Sequence, residues 1–575
     1  MLKDDYRKVN AVYAIRGCTR EQDCNSHMRG TELTSLNWLD ANRRFATAIL
    51  QSLTSAASAL PPRISDLAVP VRSLIDGRAE RGKRIYHGEF RFAGHSVLSR
   101  GASIFESKPP DLEWLENLHG FSWLADLEAT GLELARVNAR ALVSDWLERD
   151  RHHPKPARSL PILSRRLIAW INAAPFLLEH AGEDFLIRFC SGLASHVRDL
   201  QLRSNFCLSP ALRLDCASAL AYAAVALKGM ETTRAAALEQ LADKLEQQLL
   251  PDGGHVSRNP AELARLLLEI LPLRHACEQA RIEMPAKIEA ALERMLPMLR
   301  FFLHGDGGLA MFQGASDPLA PQCAAILAAD VSQGTPLSNA PYCGFTRFSH
   351  GNSLVICDTG FPAQGAFAAP LALEFSEGSS RIVINCGTRL DRERSLEFES
   401  DLLEAHSTAT LSAQPKQAPS LVRSLLATWS HSAARVEANL SSTAVGSLVE
   451  ARHDAYAQVA GFLHGRCLFL SAAGTDFRGE DRFFPASGNI GETHFRIRFH
   501  LHPDVRAEFA EDGTCVVLNP PGASDWTFKA RGAEICLADS TCSWGTTIPR
   551  RTKQIVLTGS VSPSPIHWAF KRTRF

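Results

Sequence analysis

An imidazole directly after a double-glycine turn is the first group in this chain placed to do chemistry. In Asp252-Gly253-Gly254-His255 the glycines allow a tight reversal, and Arg258 follows three residues after the histidine. Asn259-Pro260 then reads as the cap and first residue of a helix, so the loop offers an imidazole, a guanidinium and backbone N–H groups together. That combination suits an anionic sugar, although a histidine satisfied within the turn and a solvated arginine would look the same in sequence. Glu262 falls in the first turn of the helix, where the helix dipole favours an acid. Paired with another acid across a groove, it could also cleave a glycosidic bond. In the second half, His406 could be a base or a metal ligand, but no second and third ligand accompany it. Tyr456 could move a proton or pack within a strand. His500 and His502 share one face of a strand, a spacing that can hold a metal or form an exposed face ending at Pro503. Gly479-Glu480-Asp481-Arg482 reads as a turn with an ion pair, with catalytic carboxylates as the alternative.

The elements that must position these groups change character near the middle of the chain. From about residue 115 to 312 the apolar residues recur at helical spacing, as in Leu238, Leu241, Leu245 and Leu249. A second turn, Asp306-Gly307-Gly308, lies 54 residues after the first, about the length of one helical hairpin, so hairpins in series could close into an α/α toroid. After about residue 343, short runs such as Arg381–Asn385, Ala457–Leu463, His494–His500 and Gln554–Thr558 read as strands between turn residues. The expected fold is therefore α+β and multidomain, a toroid of helical hairpins followed by a large antiparallel β-sandwich. The expected boundaries are an appendage over 1–63 with one helix, the toroid over 64–312, a linker over 313–341 and the sandwich over 342–575.

Composition sets limits on function. Lys plus Arg equals Asp plus Glu at 62 each in 575 residues, so net charge gives no reason to expect nucleic-acid binding. Apolar residues make up 45% and charged residues 22%, an ordinary globular balance, and no apolar run is long enough to span a membrane. The 14 cysteines are scattered without zinc-knuckle spacing, which suits buried thiols in a reducing compartment. The first residues are polar and do not form a signal peptide. Arg43-Arg44 before an apolar stretch has the order of an export signal, but reads as part of an amphipathic first helix, Leu36 to Ala59.

Several segments together resemble the heparinase II/III-like polysaccharide lyase family. They are Leu250–Pro260, Phe301–Leu309, Ile384–Thr388, Ala405–Leu411, Leu468–Arg482 and Arg498–Pro503. The resemblance implies the same toroid and sandwich, a site in the groove between them, and β-elimination on uronic-acid polysaccharides at the periplasm or cell envelope, with the cytoplasm as the alternative. An acidic polysaccharide is then the expected partner. The reaction needs a group that neutralises the sugar carboxylate and a Tyr or His that takes the neighbouring proton. Here Glu262 stands where the family carries its Tyr, and the family's ligand run falls on Phe367, Ala369 and Asn385, so no zinc and no other cofactor is expected. His406 matches the family's histidine, and Asn205 is the nearest match to its toroid asparagine. The resemblance thus implies His255, His406 and Glu262 as catalytic candidates, and Asn205, Arg258 and Tyr456 as substrate contacts. Two functions remain open: a lyase with a reduced catalytic set, and a non-catalytic glycan-binding or envelope-assembly protein. A glycoside hydrolase is a third.

Overall fold

The computed structural model describes residues 62–149, 152–330, 334–360, 369–387, 403–413, 435–486, 492–544 and 549–573. The expected N-terminal helix, the aligned Phe367 and most of the 1–63 appendage lie outside these residues.

The helical half begins behind a small hairpin, Glu89–Phe92 paired with His95–Leu98. Its principal helices are Glu133–Glu148, Leu160–Leu178, Glu183–Ser204, Pro210–Ala226, Arg234–Gln248, Pro260–Ala280 and Ala286–Phe302. Helix Pro210–Ala226 is buried on nearly every side from Cys216 onward, and its run of alanines lets neighbouring backbones approach closely. Helix Pro260–Ala280 starts as its sequence indicates. Pro260 takes the first position, and the Asn259 side chain accepts from the Ala261 N–H at 2.8 Å. The segment read as a linker contains a helix of its own, Ala320–Ala329, which buries Cys323 and Ile326.

Two antiparallel sheets follow. The first runs β17 (Glu534–Cys542), β18 (Arg550–Ser560), β13 (Thr493–Leu501), β7 (Ser380–Ile384), β6 (Leu373–Glu377), β5 (Ser353–Asp358), β4 (Phe345–His350) and β3 (Asn339–Ala340), with β8 (Ala409–Ala413) also paired to β13. Among the described residues the second holds eight strands, from Arg506–Phe509 at one edge to Val436–Thr443 at the other. Phe375, Phe477, Trp526 and Phe570 fill the space between the sheets.

The inner strands β5, β6 and β7 of the first sheet are buried on both faces. Phe345, Leu354 and Ile356 join the core of the helical half, whereas Phe348, Val355 and Cys357 join the sandwich core. This is why β5 reads as a continuous apolar run and not as an alternation. Two local expectations are corrected. Ala457–Ala460 is a helical turn ended by Gly461 in the left-handed region, and the strand begins only at Phe462. Gly479–Arg482 is no turn but lies inside strand Asp476–Pro485. A Cβ at Gly479 would meet the Trp568 ring at 2.0 Å, so this glycine makes room for an indole.

Candidate active site at the toroid mouth

Both Asp-Gly-Gly turns are built alike. The aspartate accepts from the N–H of the second glycine, Asp252 from Gly254 at 3.3 Å and Asp306 from Gly308 at 2.9 Å. The first glycine takes a positive φ, 89° at Gly253 and 78° at Gly307. The second glycine lets the β-domain approach. A Cβ at Gly254 would meet Cys343 Sγ at 2.5 Å, and one at Gly308 would meet Arg381 Nη2 at 2.6 Å. The free oxygen of each aspartate reaches the same chain. Asp252 accepts from the Tyr342 and Cys343 N–H groups, and Asp306 pairs with Arg381.

The first turn opens on a cavity of about 580 Å³ lined by residues of helices Leu160–Leu178, Pro210–Ala226 and Pro260–Ala280, the turn itself and Gln313. Its size is within the range of small-ligand pockets. Among the sequence candidates, His255 and Glu262 line it together. Arg265 is its hub. Its guanidinium lies 2.9 Å from Glu262 Oε2, 2.8 Å from Glu269 Oε1 and 3.1 Å from Asp215 Oδ1. Ser218 donates to the other Glu269 oxygen at 3.0 Å. Burial raises the pKa of Asp215 and of Glu269, and Arg265 pulls each back.

His255 is buried, and burial lowers its pKa to about 4 despite the opposing Glu262 charge. Its Nδ1 accepts from the Ser257 N–H at 3.2 Å and sits 2.7 Å from Ser257 Oγ, which places the ring proton on Nε2. The ring is therefore neutral near pH 7 and a weak base there.

Arg258 lies in the same loop but is committed elsewhere. Its Nε donates to Cys343 O at 2.7 Å, its Nη2 donates to Gly344 O at 2.9 Å, and it forms a buried ion pair with Asp358 at the end of β5. The guanidinium also stacks 4.7 Å from the Phe345 ring centre. Gln313 Nε2 donates to the other Asp358 oxygen. Arg258 and Gln313 both adopt left-handed backbone, φ 60° and 51°, an unfavourable conformation that their ties to Asp358 help hold. The expectation that Arg258 offers itself to a ligand meets a guanidinium that fastens the two halves together.

The other candidates lie apart from the cavity. Asn205 is exposed at the end of helix Glu183–Ser204, with its amide donating to Gln201 O at 3.2 Å. Tyr456 is buried and donates to Ala409 O at 2.6 Å, and burial raises its pKa. His406 is buried in the sandwich, close enough to His500 to disfavour protonation of that ring. His500 itself is buried, not on an exposed face, and is held by Ser540 Oγ and Glu404 O at 2.9 and 2.7 Å. Among the described residues, no three His, Cys, Asp or Glu gather as a metal site.

Sequence reasoning missed Asp215, Arg265, Glu269 and Gln313. Glu262, Arg265 and Glu269 recur at i, i+3 and i+7 along the otherwise apolar stretch Pro260–Leu273, a spacing that puts them on one face and could have been noticed. Asp215 is a lone charge in the apolar stretch Leu214–Ala226. Gln313 carries no local signal.

Comparisons with known proteins agree with this architecture. Residues 332–570 match the family described as heparinase II/III-like, C-terminal. The chain is 30% identical over 505 residues to FtsZ-localized protein C of Caulobacter vibrioides (strain NA1000 / CB15N), covering 84% of this chain and 87% of that protein. Among solved structures, heparinase III aligns with a TM-score of 0.66 at 13% identity, covering 93% of this chain and 90% of that one. A mutant of the heparan sulfate lyase HepC from Pedobacter heparinus aligns at 0.58 and 16%, covering 95% and 92%. At such identities these two structures speak for the fold alone, the toroid followed by an antiparallel sandwich. The chain belongs to the heparinase II/III-like family.

Proposed function

We propose that this protein is a non-catalytic glycan-binding member of its family, working at the cell envelope where FtsZ is localised. One observation carries the reading. The cavity that would hold a sugar contains no tyrosine among the described residues, and its one histidine is a neutral, weak base. Every tyrosine after residue 61 (Tyr86, Tyr222, Tyr342 and Tyr456) lies outside the cavity lining. A lyase needs both a base for a weakly acidic proton and a group that neutralises the adjacent carboxylate. The arginine nearest that second task, Arg258, is tied to Asp358. His255 and Glu262 are accordingly ligand contacts in this reading and not a catalytic pair. The place of action is supported by the relative at 30% identity, which is named for its localisation with FtsZ.

The uronic-acid glycan implied by the family is the finer question. Three carboxylates and two guanidiniums line the cavity, a balance that weighs against an acidic ligand. Heparan sulfate, chondroitin, hyaluronan and alginate incubated with the purified protein should yield no ultraviolet-absorbing unsaturated product. Glycan oligomers titrated by calorimetry should bind. Steady accumulation of unsaturated product, abolished by His255→Ala, would replace this reading with the lyase. A fluorescent fusion spread evenly through dividing cells would remove the FtsZ part.

A further inference from the structure

We infer that the glycan is uncharged and lies across the His255–Arg258 loop, from the toroid-mouth cavity to a second cavity where Tyr342 takes one sugar ring. The inference rests on the glycan-binding reading and adds to it a subsite and a class of sugar. Side chains alternate along the loop. His255 and Ser257 line the toroid-mouth cavity, whereas Val256 and Arg258 line a cavity of about 340 Å³ together with Pro341, Tyr342, Val436 and Ala438. Val256 is 37% exposed, so the ridge between the cavities is apolar and reaches solvent. Tyr342 is 64% exposed, yet its backbone is fixed. Its N–H donates to Asp252 Oδ2 at 3.0 Å, the Cys343 N–H donates to the same oxygen at 2.7 Å, and the Gly344 N–H closes the turn on Ala340 O at 2.6 Å. A ligand that covers an aromatic ring held out on a fixed backbone gains apolar burial with little ordering of the chain.

Charge selects the ligand. Among the described residues the second lining holds no carboxylate, and its one guanidinium, Arg258, is already paired with Asp358. A uronate would leave water for a cavity whose only cation is balanced. The toroid-mouth cavity receives it no better, since its carboxylates outnumber its guanidiniums. An uncharged pyranose meets neither penalty. Its face of C–H groups suits the Tyr342 ring, and its hydroxyls suit the Asn339 amide in the same lining.

The experiment is calorimetric titration of the full chain with disaccharides and hexasaccharides of two uncharged series, cello-oligosaccharides and N-acetylated chito-oligosaccharides, and of one charged series, oligogalacturonates. At least one uncharged hexasaccharide should bind more tightly than its disaccharide, which fits in the toroid-mouth cavity alone, and more tightly than the charged hexasaccharide. Tyr342→Ala should lower the ratio of hexasaccharide to disaccharide affinity about five- to ten-fold, the order expected for loss of a stacked ring. Tyr342→Phe keeps the ring and should hold the ratio. The side chain is exposed, so both variants are expected to fold, and an unchanged thermal midpoint checks this. Phe509→Ala removes an exposed ring outside the lining and controls for loss of apolar surface in general. An unchanged ratio in Tyr342→Ala, or an equal fall in Phe509→Ala, overturns the Tyr342 subsite. Oligogalacturonates that bind as tightly as the uncharged series overturn the class of sugar and leave glycan binding standing. Failure of every oligomer to bind removes the glycan-binding reading, and this inference with it.

Discussion

The two Asp-Gly-Gly turns share a backbone and differ in what surrounds them. At the second, His304 is wholly buried, with Nε2 3.0 Å from Glu374 Oε2 and Nδ1 2.8 Å from Ser376 Oγ. Glu374 is fully buried and also accepts from the Met311 and Asn385 N–H groups, while Arg381 bridges it to Asp306. Burial alone would raise the Glu374 pKa, but His304, Arg381 and the Asn385 N–H together hold it below the usual carboxylate range. At the first turn the histidine follows the glycines, and it lines a cavity instead of a closed polar core. The same device therefore serves two ends. One turn is sealed by the sandwich, while the other is fastened through Arg258 and leaves its imidazole beside a cavity. Both turns are legible in the residues alone, but only their surroundings distinguish a fastening from a site.

The comparison can be broken most severely at Glu374. Glu374→Ala leaves Arg381 and His304 without their buried acceptor, and losing one partner of such a buried pair costs about 3–5 kcal/mol. Denaturant unfolding, followed by helical and aromatic signals together, should show that loss across both halves. A loss under about 1 kcal/mol would mean that the second turn does not fasten the halves.

Next in size is Arg258→Ala, for which we expect a loss of about 3 kcal/mol in the same measurement. The variant also strips hydrogen bonds from Cys343 O and Gly344 O. Removing Asp358 as well should cost less than the sum of the two single losses, because the partners share one interaction. If Arg258→Ala instead keeps its stability and loses only sugar affinity, the guanidinium belongs to the ligand after all.

Much of the fold was legible, for physical reasons that particular residues make plain. Leu238, Leu241 and Leu245 recur at helical spacing because one face of their helix is buried. The Asn259-Pro260 start is local chemistry and reads directly from sequence. Gly479 misled because a glycine that admits an indole looks like a glycine that turns a chain. The site was legible only where it is local. His255 and Glu262 come from one turn and the helix it starts, whereas Asp215 and Gln313 arrive from other segments. The part Arg258 plays depends on Asp358, 100 residues further on, and no spacing rule reaches that far.

Acid sharpens the comparison at the first turn. His255 has a folded pKa of about 4, below the ordinary value of 6.5, with the Glu262 and Arg265 charges as its neighbours in the cavity. An unfolded chain therefore binds its proton first. The stabilisation is complete above about pH 6.5 and is lost as pH falls towards 4. His255→Gln should flatten the fall in thermal midpoint over that window relative to the parent. His119 and His500, both lowered to about 3 by burial, should keep part of the slope in the variant. Glu374, held below its ordinary range, should weaken the second turn only at lower pH. Identical pH profiles for parent and His255→Gln would mean that the ring carries no such penalty.

The smallest effect is expected at Gly307. Its φ of 78° disfavours any side chain, yet a Cβ there would meet nothing within 4 Å. Gly307→Ala therefore bears only the backbone penalty, about 1 kcal/mol, partly offset by the smaller freedom of alanine in the unfolded chain. Gly253 has nearly the same backbone, φ 89°, but its Cβ would sit 2.2 Å from the Arg294 carbonyl oxygen. A backbone carbonyl in the middle of a packed helix cannot swing aside as a flexible side chain can, so Gly253→Ala must lose more than Gly307→Ala. Because the two turns share sequence and conformation, the difference between the variants isolates packing from backbone strain. Equal losses would show that strain alone fixes glycine at both turns, and that the tighter surroundings of the first turn relax at little cost.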